Sequence, residues 1–281
     1  MIKIITDSTS YLPSQYIQEY DISIVSLGVT WPTKTERECD VNLSTFYTEL
    51  ENSSEIPKSS QPSPNEMYQA FEKCVKDGHI VVAIFLSSEM SGAYNSAHLV
   101  REMILEKYPT AQIKILDSRT NCMQLGYMVL SAAQAASLGR SLSEVIEATN
   151  FTLTHSRFLF TPETLTYLKK GGRIGSASAL LGNLLQIKPI LTVNDGKTDI
   201  YTKVRTKKKA IEALIDGLMK DLETHRLLGI TVHHINAYAE GNTLAEKLQE
   251  RLNIHVDVQD IGPVIGLHVG PGSIGIAYHY A

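Results

Sequence analysis

The sequence predicts an α/β protein in two parts, a mostly parallel N-terminal sheet with helices on both faces and a second α/β unit following it. Short β-branched runs alternate with amphipathic stretches of helical period, as crossover connections require. Three successive strands end in hydroxyl-bearing turns, and open α/β sheets take their ligands outside the carboxyl ends of strands. The length of 281 residues lies between one large domain and two modest ones, and a 43% hydrophobic, 20% charged composition is an ordinary globular mix. The expected division is 1–155, with a small excursion near 28–60, and 156–281.

Ile2 to Thr6 reads as a buried strand, followed by the turn Asp7-Ser8-Thr9-Ser10 and a helix started by Pro13. Ile22 to Leu27 is the next strand. Gly28 to Val41 is irregular and suggests a hairpin or excursion, and Leu43 to Leu50 is helical. In Lys58-Ser59-Ser60-Gln61-Pro62-Ser63-Pro64 the two prolines force extended backbone before each of them, so helix resumes only at Pro64, running to Lys76. His79 to Leu86 is the clearest central strand, and Ser87 to Gly92 turns into a long helix, Ala93 to Lys107. Gln112 to Leu116 is a strand ending in Asp117-Ser118, and helices at about 123–138 and 142–154 complete this half.

The second half opens with a strand at Arg157 to Phe160, a helix up to Lys170 and the break Gly171-Gly172-Arg173-Ile174-Gly175. Ser176 to Leu185 is expected to be helical. Ile187 to Val193 and Thr198 to Val204 flank Asp195-Gly196, a hairpin signal. Thr206 caps a helix whose apolar face is Ile211, Leu214, Ile215, Leu218 and Leu222. A strand from Leu228 to His233 and a helix to Leu252 follow, and the strands 254–261, 264–268 and 274–278 are expected at the end.

The longest apolar run, Ile80 to Leu86, is far short of the roughly 20 residues that span a bilayer, so neither a spanning segment nor an export signal is expected. Cys39, Cys74 and Cys122 are odd in number and lack metal spacing, which predicts a reducing cytoplasm with no disulfide and no zinc site. His233-His234 point to opposite faces of a strand and predict no metal either. No Gly-x-Gly-x-x-Gly, Walker loop, His-Glu-x-x-His or Gly-x-Ser-x-Gly occurs, which removes support for self-contained nucleotide or esterase chemistry. The net charge of −4 gives no whole-chain reason to expect nucleic acid, yet it hides an asymmetry. From Lys169 to Lys209 ten Lys or Arg face only Asp195 and Asp199, a solvated face or a docking surface for an acidic partner.

The segments 6–13, 59–63, 87–97, 164–174 and 268–272, in that order, resemble the DegV family, bacterial fatty-acid-binding proteins also called FakB. The resemblance covers nearly the whole chain. It implies a two-domain DegV-type fold with a ligand tunnel between the domains, holding one long-chain fatty acid. The protein would be a non-catalytic subunit without a cofactor, presenting the carboxylate to a separate ATP-dependent fatty acid kinase. The acyl phosphate formed would pass to an acyltransferase of phospholipid synthesis, with transient membrane contact compatible with that role. The resemblance gives the carboxylate to Ser59, Ser91 and His268, with Gly92 opening the following helix. Arg173 and Arg205 fall at family positions suited to the tunnel mouth or to docking the kinase.

Elementary chemistry favours the same roles. A carboxylate leaving water needs several donors, and hydroxyls at a helix N-terminus supply them without a fixed positive charge. About 15 methylenes at about 0.8 kcal/mol each give a gross transfer term of roughly 12 kcal/mol before binding costs. Departures from the family pattern, namely Ser59 for Thr, Glu89 and Ala93 beside the Ser-Gly turn, and Cys122 and Gln124, bear on chain preference rather than on the carboxylate contact. The rival readings are a free-standing phosphotransferase or esterase using Ser91 with His268, and a regulatory nucleic-acid binder using 205–209.

Overall fold

The computed structural model describes residues 1–181 and 187–281. In chain order its strands are β1 (Ile2–Asp7), β2 (Ser23–Val25), β3 (Gly28–Thr30), β4 (Thr35–Arg37), β5 (Lys58–Ser60), β6 (Ile80–Phe85), β7 (Ile113–Asp117), β8 (Ser156–Thr161), β9 (Lys188–Asn194), β10 (Lys197–Val204), β11 (Leu227–His234), β12 (Asp257–Asp260) and β13 (Ile274–Tyr280). The α-helices are α1 (Ser14–Glu19), α2 (Leu43–Asn52), α3 (Pro64–Lys76), α4 (Ala93–Lys107), α5 (Cys122–Ser137), α6 (Leu142–Thr154), α7 (Thr166–Lys170), α8 (Lys207–Asp221), α9 (Tyr238–Leu252) and α10 (Pro263–Val269).

One sheet runs β2-β1-β6-β7 and is parallel throughout, as its nearly continuous apolar strands require when both faces are covered. A second runs β10-β9-β8-β13-β11-β12 and is antiparallel except at β11–β12. The small antiparallel sheet β4-β3-β5 is the excursion, closed over Trp31, Phe46 and Tyr47 by α2 and α10. Helices α3 and α4 cover the outer face of the parallel sheet, and α8 and α9 the outer face of the second. Between the sheets lies α5, which touches β1, β6, β8 and β13 and is apolar almost all round. The largest core therefore joins Ile4, Phe85 and Leu125 to Phe158, Leu191 and Ala277, while Leu159, Leu214, Leu244 and Ile276 form a smaller core behind the second sheet.

Local chemistry explains most boundaries. Pro64 starts α3, Ser141 and Glu144 form a reciprocal capping box on α6, and the Thr206 hydroxyl accepts from the Lys209 amide at the start of α8. Asp195 (φ 52°) and Gly196 (φ 83°) make the hairpin turn with both central residues left-handed.

Three expectations need correction. The segment 264–268 is not a strand but lies within α10, because Pro263 after Gly262 starts a helix. Its residues are buried on nearly every side, which erases the helical period and leaves a β-branched composition that reads as strand. The helix expected over 176–185 is, in its described part, a 3₁₀ segment at Gly175–Leu180, with 182–185 outside the described residues, while α7 ends at Lys170 as expected. Leading the strand expected at 254–261, residues 254–256 remain outside the ladder of β12.

Candidate functional site

The parallel sheet reverses its strand order between β1 and β6, and a switch point of this kind opens a crevice outside the carboxyl ends of the strands. That crevice is present, walled by Leu27, Leu86, Met90, Phe158, Phe160, Leu168, Val193, Val264, Ile265 and Val269, with Ser59, Ser91, Asn121, Arg173, Thr198 and His268 as its polar residues. Its walls come from both large sheets, the excursion and α10. Counted to the mouth it encloses about 540 Å³, of which about 40 Å³ admits the centre of a water molecule, so the walls stand close together.

Ser59 and His268 are 209 residues apart, yet the Ser59 hydroxyl lies 2.8 Å from His268 Nε2. Ser59 is carried by β5, paired to Val29 of β3, and His268 by the last turn of α10. Burial, aided by the Arg173 charge, pushes the imidazole down to about 4, so it is neutral at pH 7. With the proton on Nε2 the ring donates to Ser59 and frees that hydroxyl's own hydrogen for a ligand. Gly171 makes room for this ring, since a Cβ there would sit 2.2 Å from His268 Nδ1.

Ser91 lines the crevice one residue before the Gly92 N-cap of α4, its hydroxyl accepting from the Ala93 amide at 3.3 Å and keeping its hydrogen free. Gly92 itself is exposed and does not line the crevice. A Cβ there would meet only the Gln61 side chain, at 2.3 Å from Oε1, its movable end. Ser91 makes no hydrogen bond to His268 among the described residues, so the pair that a free-standing enzyme would use is not formed.

Arg173 stands at the crevice, donating to the Met90 carbonyl through two nitrogens at 3.1 Å and to the Gly171 carbonyl at 2.6 Å. It staples the 87–92 turn to the loop beside His268. Arg205 is exposed ahead of α8 and does not line the crevice. The basic segment is partly neutralised by neighbours: Lys188 and Lys207 pair with Glu163, Lys207 also with Glu240, and Lys197 with Glu89. Lys169, Lys170, Lys203, Arg205, Lys208 and Lys209 are exposed and outside the ion pairs of the described residues.

The first hydroxyl turn serves the frame rather than the crevice. Asp7 accepts from the Leu86 amide at 2.7 Å and from the amide and hydroxyl of Thr9 at 2.9 and 2.6 Å, tying β1 to the turn that carries Ser91. Glu38 accepts from the Tyr11 hydroxyl and the Val264 amide, both at 2.9 Å, and from the Ser8 hydroxyl. Tyr47 adds a hydrogen bond to the Ile261 carbonyl at 2.6 Å. Together they fix the start of α10, and hence His268. Burial raises Asp7 to about 6 and Glu38 to about 7.

Sequence reading missed Asn121, Glu38 and the wall residues. Glu38 carried no motif, and its partners lie up to 226 positions away. His233 accepts from the Met123 amide at 3.1 Å and so caps α5, with its ring driven down to about 3 by burial. Among the described residues no three His, Cys, Asp or Glu side chains are grouped as metal ligands, and no helix is long and apolar enough to cross a membrane.

The fold and site thus define an α/β protein of two large sheets and one small one, with a mostly apolar crevice bearing a few polar groups at a switch point. The chain belongs to the DegV family, whose profile, described as "Uncharacterised protein, DegV family", matches residues 1–281. A DegV domain-containing protein of Clostridium acetobutylicum is 50% identical over 278 residues, covering 99% of this chain and 97% of that protein. The fatty-acid-binding DegV of Bacillus subtilis superposes with a TM-score of 0.87 at 30% identity, covering 100% of this chain and 99% of that one. A stearic-acid-binding protein of Eubacterium ventriosum gives 0.90 at 26% identity, covering 100% and 98%.

Proposed function

We propose that this chain binds one long-chain fatty acid, its carboxylate held by the Ser59 and Ser91 hydroxyls, with His268 orienting that of Ser59, and its alkyl chain between the apolar walls. The observation that carries the reading is the neutral Ser59–His268 pair lining, together with Ser91, a crevice whose walls are mostly apolar. Fatty-acid binding by the Bacillus and Eubacterium proteins supports the same ligand class. The narrow free space means that entry of an alkyl chain parts the walls, for which the unbranched Met90 is well suited.

Neutral donors orient the carboxylate without neutralising it, so an oxygen stays nucleophilic toward the γ-phosphoryl group of ATP held by a separate kinase. The oxygen–phosphorus bond forms, the bond to the β-phosphate oxygen breaks, and acyl phosphate and ADP result. The chain is then a non-catalytic, cytoplasmic subunit with no cofactor of its own. Arg173, at the mouth, and Arg205, exposed near Lys208 and Lys209, are the candidate kinase contacts, and an acyltransferase consumes the product.

Organic extraction of the purified protein, with mass spectrometry of any lipid released, tests the ligand class; an empty protein that also fails to take up palmitate or oleate overturns it. ATP consumption by the kinase with the loaded protein tests the partnership, and turnover indifferent to Ser91→Ala sinks the assigned carboxylate contact.

A further inference from the structure

Asn121 sits where a helix normally captures an asparagine side chain, and here the helix does not. It holds the N-cap of the 16-residue α5 with extended backbone (φ −154°, ψ −172°), yet its side chain makes no capping hydrogen bond. Of the two amides an N-cap side chain accepts from, those of Met123 and Gln124, the first is taken by Nε2 of His233 at 3.1 Å. The next residue, Cys122, has φ 51°, in the left-handed region that a side chain with a Cβ enters only at a steric cost.

The freed side chain lines the crevice and is only 6% exposed. Its amide nitrogen donates to the Met90 sulfur at 3.2 Å, and its Oδ1 has no hydrogen-bond partner among the described residues. The thioether fixes this orientation, because sulfur there offers no hydrogen and the –NH₂ end alone can answer it. The lining of the crevice thus includes one buried side chain whose carbonyl oxygen lacks a donor among the described residues, and Leu or Val would pack there without that penalty.

We infer that Asn121 is a specificity residue for acyl ligands that carry a hydroxyl group on their alkyl chain, the hydroxyl donating to Asn121 Oδ1. A carbonyl oxygen only accepts, and an ionised carboxylate has no hydrogen to give, so the head group does not answer it. On an otherwise saturated chain a hydroxyl is the group that does. The inference rests on the reading of this crevice as a fatty-acid site.

The test is competition binding of palmitate against a series of monohydroxypalmitates differing in hydroxyl position, with wild type and Asn121→Leu after delipidation. Wild type is expected to bind at least one hydroxy isomer roughly three- to tenfold more tightly than palmitate, the yield of one net hydrogen bond. In Asn121→Leu the ratio falls to one or below. Palmitate binding with no isomer preferred by wild type overturns the inference alone, as does a preference that survives in the variant. Failure of palmitate and of every isomer overturns the fatty-acid reading with it. The wild-type ranking decides even where thermal melting finds the variant unfolded.

Discussion

Two sets of polar groups, one around Asp7 and Glu38 and one in the crevice, differ in how far their hydrogen bonds are satisfied. Around Asp7 and Glu38 every carboxylate oxygen has a donor, supplied by Leu86, Thr9, Ser8, Tyr11 and Val264. In the crevice Asn121 Oδ1 has no partner among the described residues, Ser91 keeps a hydrogen to give, and so does Ser59 when His268 carries its proton on Nε2. A satisfied network holds a fold together, whereas an open one in an apolar setting awaits a ligand that completes it. Asp7 and Glu38 are buried, whereas Ser59, Ser91 and His268 are half-buried where the crevice reaches them.

The largest effect expected is on the satisfied side. Glu38→Leu strands the Val264 amide and the hydroxyls of Tyr11 and Ser8, and urea unfolding should show a loss of about 3–5 kcal/mol. A loss under about 1 kcal/mol would erase the distinction drawn above. Glu38→Gln sharpens it through pH. The folded carboxyl keeps its proton up to about 7, against an ordinary value of 4.5, so its stabilisation is fully present below 4.5 and is lost as pH rises through 7. The variant should therefore gain on wild type by about 3 kcal/mol across that window, read from paired denaturation curves; a constant difference would show that Glu38 does not titrate there.

On the open side the expected pattern reverses. Ser59→Ala and Ser91→Ala should each weaken fatty-acid binding about tenfold, or 1.4 kcal/mol, while Ser91→Ala changes the stability of the delipidated protein by less than about 1 kcal/mol and Ser59→Ala, which strands His268 Nε2, by about 1–2 kcal/mol. Destabilisation as large as that of Glu38→Leu would make these serines part of the frame. Smallest is the effect of Arg205→Glu, which should alter neither fatty-acid affinity nor stability by more than about 0.5 kcal/mol yet lower kinase-coupled ATP turnover several-fold. Unchanged turnover removes Arg205 from the proposed docking face.

Much of this architecture was legible because its signals are local. Helices α3, α4 and α6 have the ends that their prolines, caps and apolar periods predict, and the Asp195-Gly196 hairpin follows from two residues. The segment forming α10 was misread since complete burial removes the contrast on which periodicity depends. Ser59, Ser91 and His268 were named through a family resemblance, and the structure brings all three to one crevice with Arg173, while Gly92 and Arg205 stand outside its lining. The basic run of 169–209 looked uniform as a sequence, but Lys188, Lys197 and Lys207 are matched by acids from distant segments.

The sequence by itself determined the α/β class, the alternation of strands and helices, and the hydroxyl turns. Only the tertiary structure decided which hydroxyls face the crevice and which are consumed in the frame. It also decided that His233 rather than Asn121 caps α5, and that Glu38 anchors the helix carrying His268. The reason is physical: propensity and capping act over a few residues, whereas the state of a buried polar group depends on donors and acceptors that the chain delivers from as far as 226 positions away.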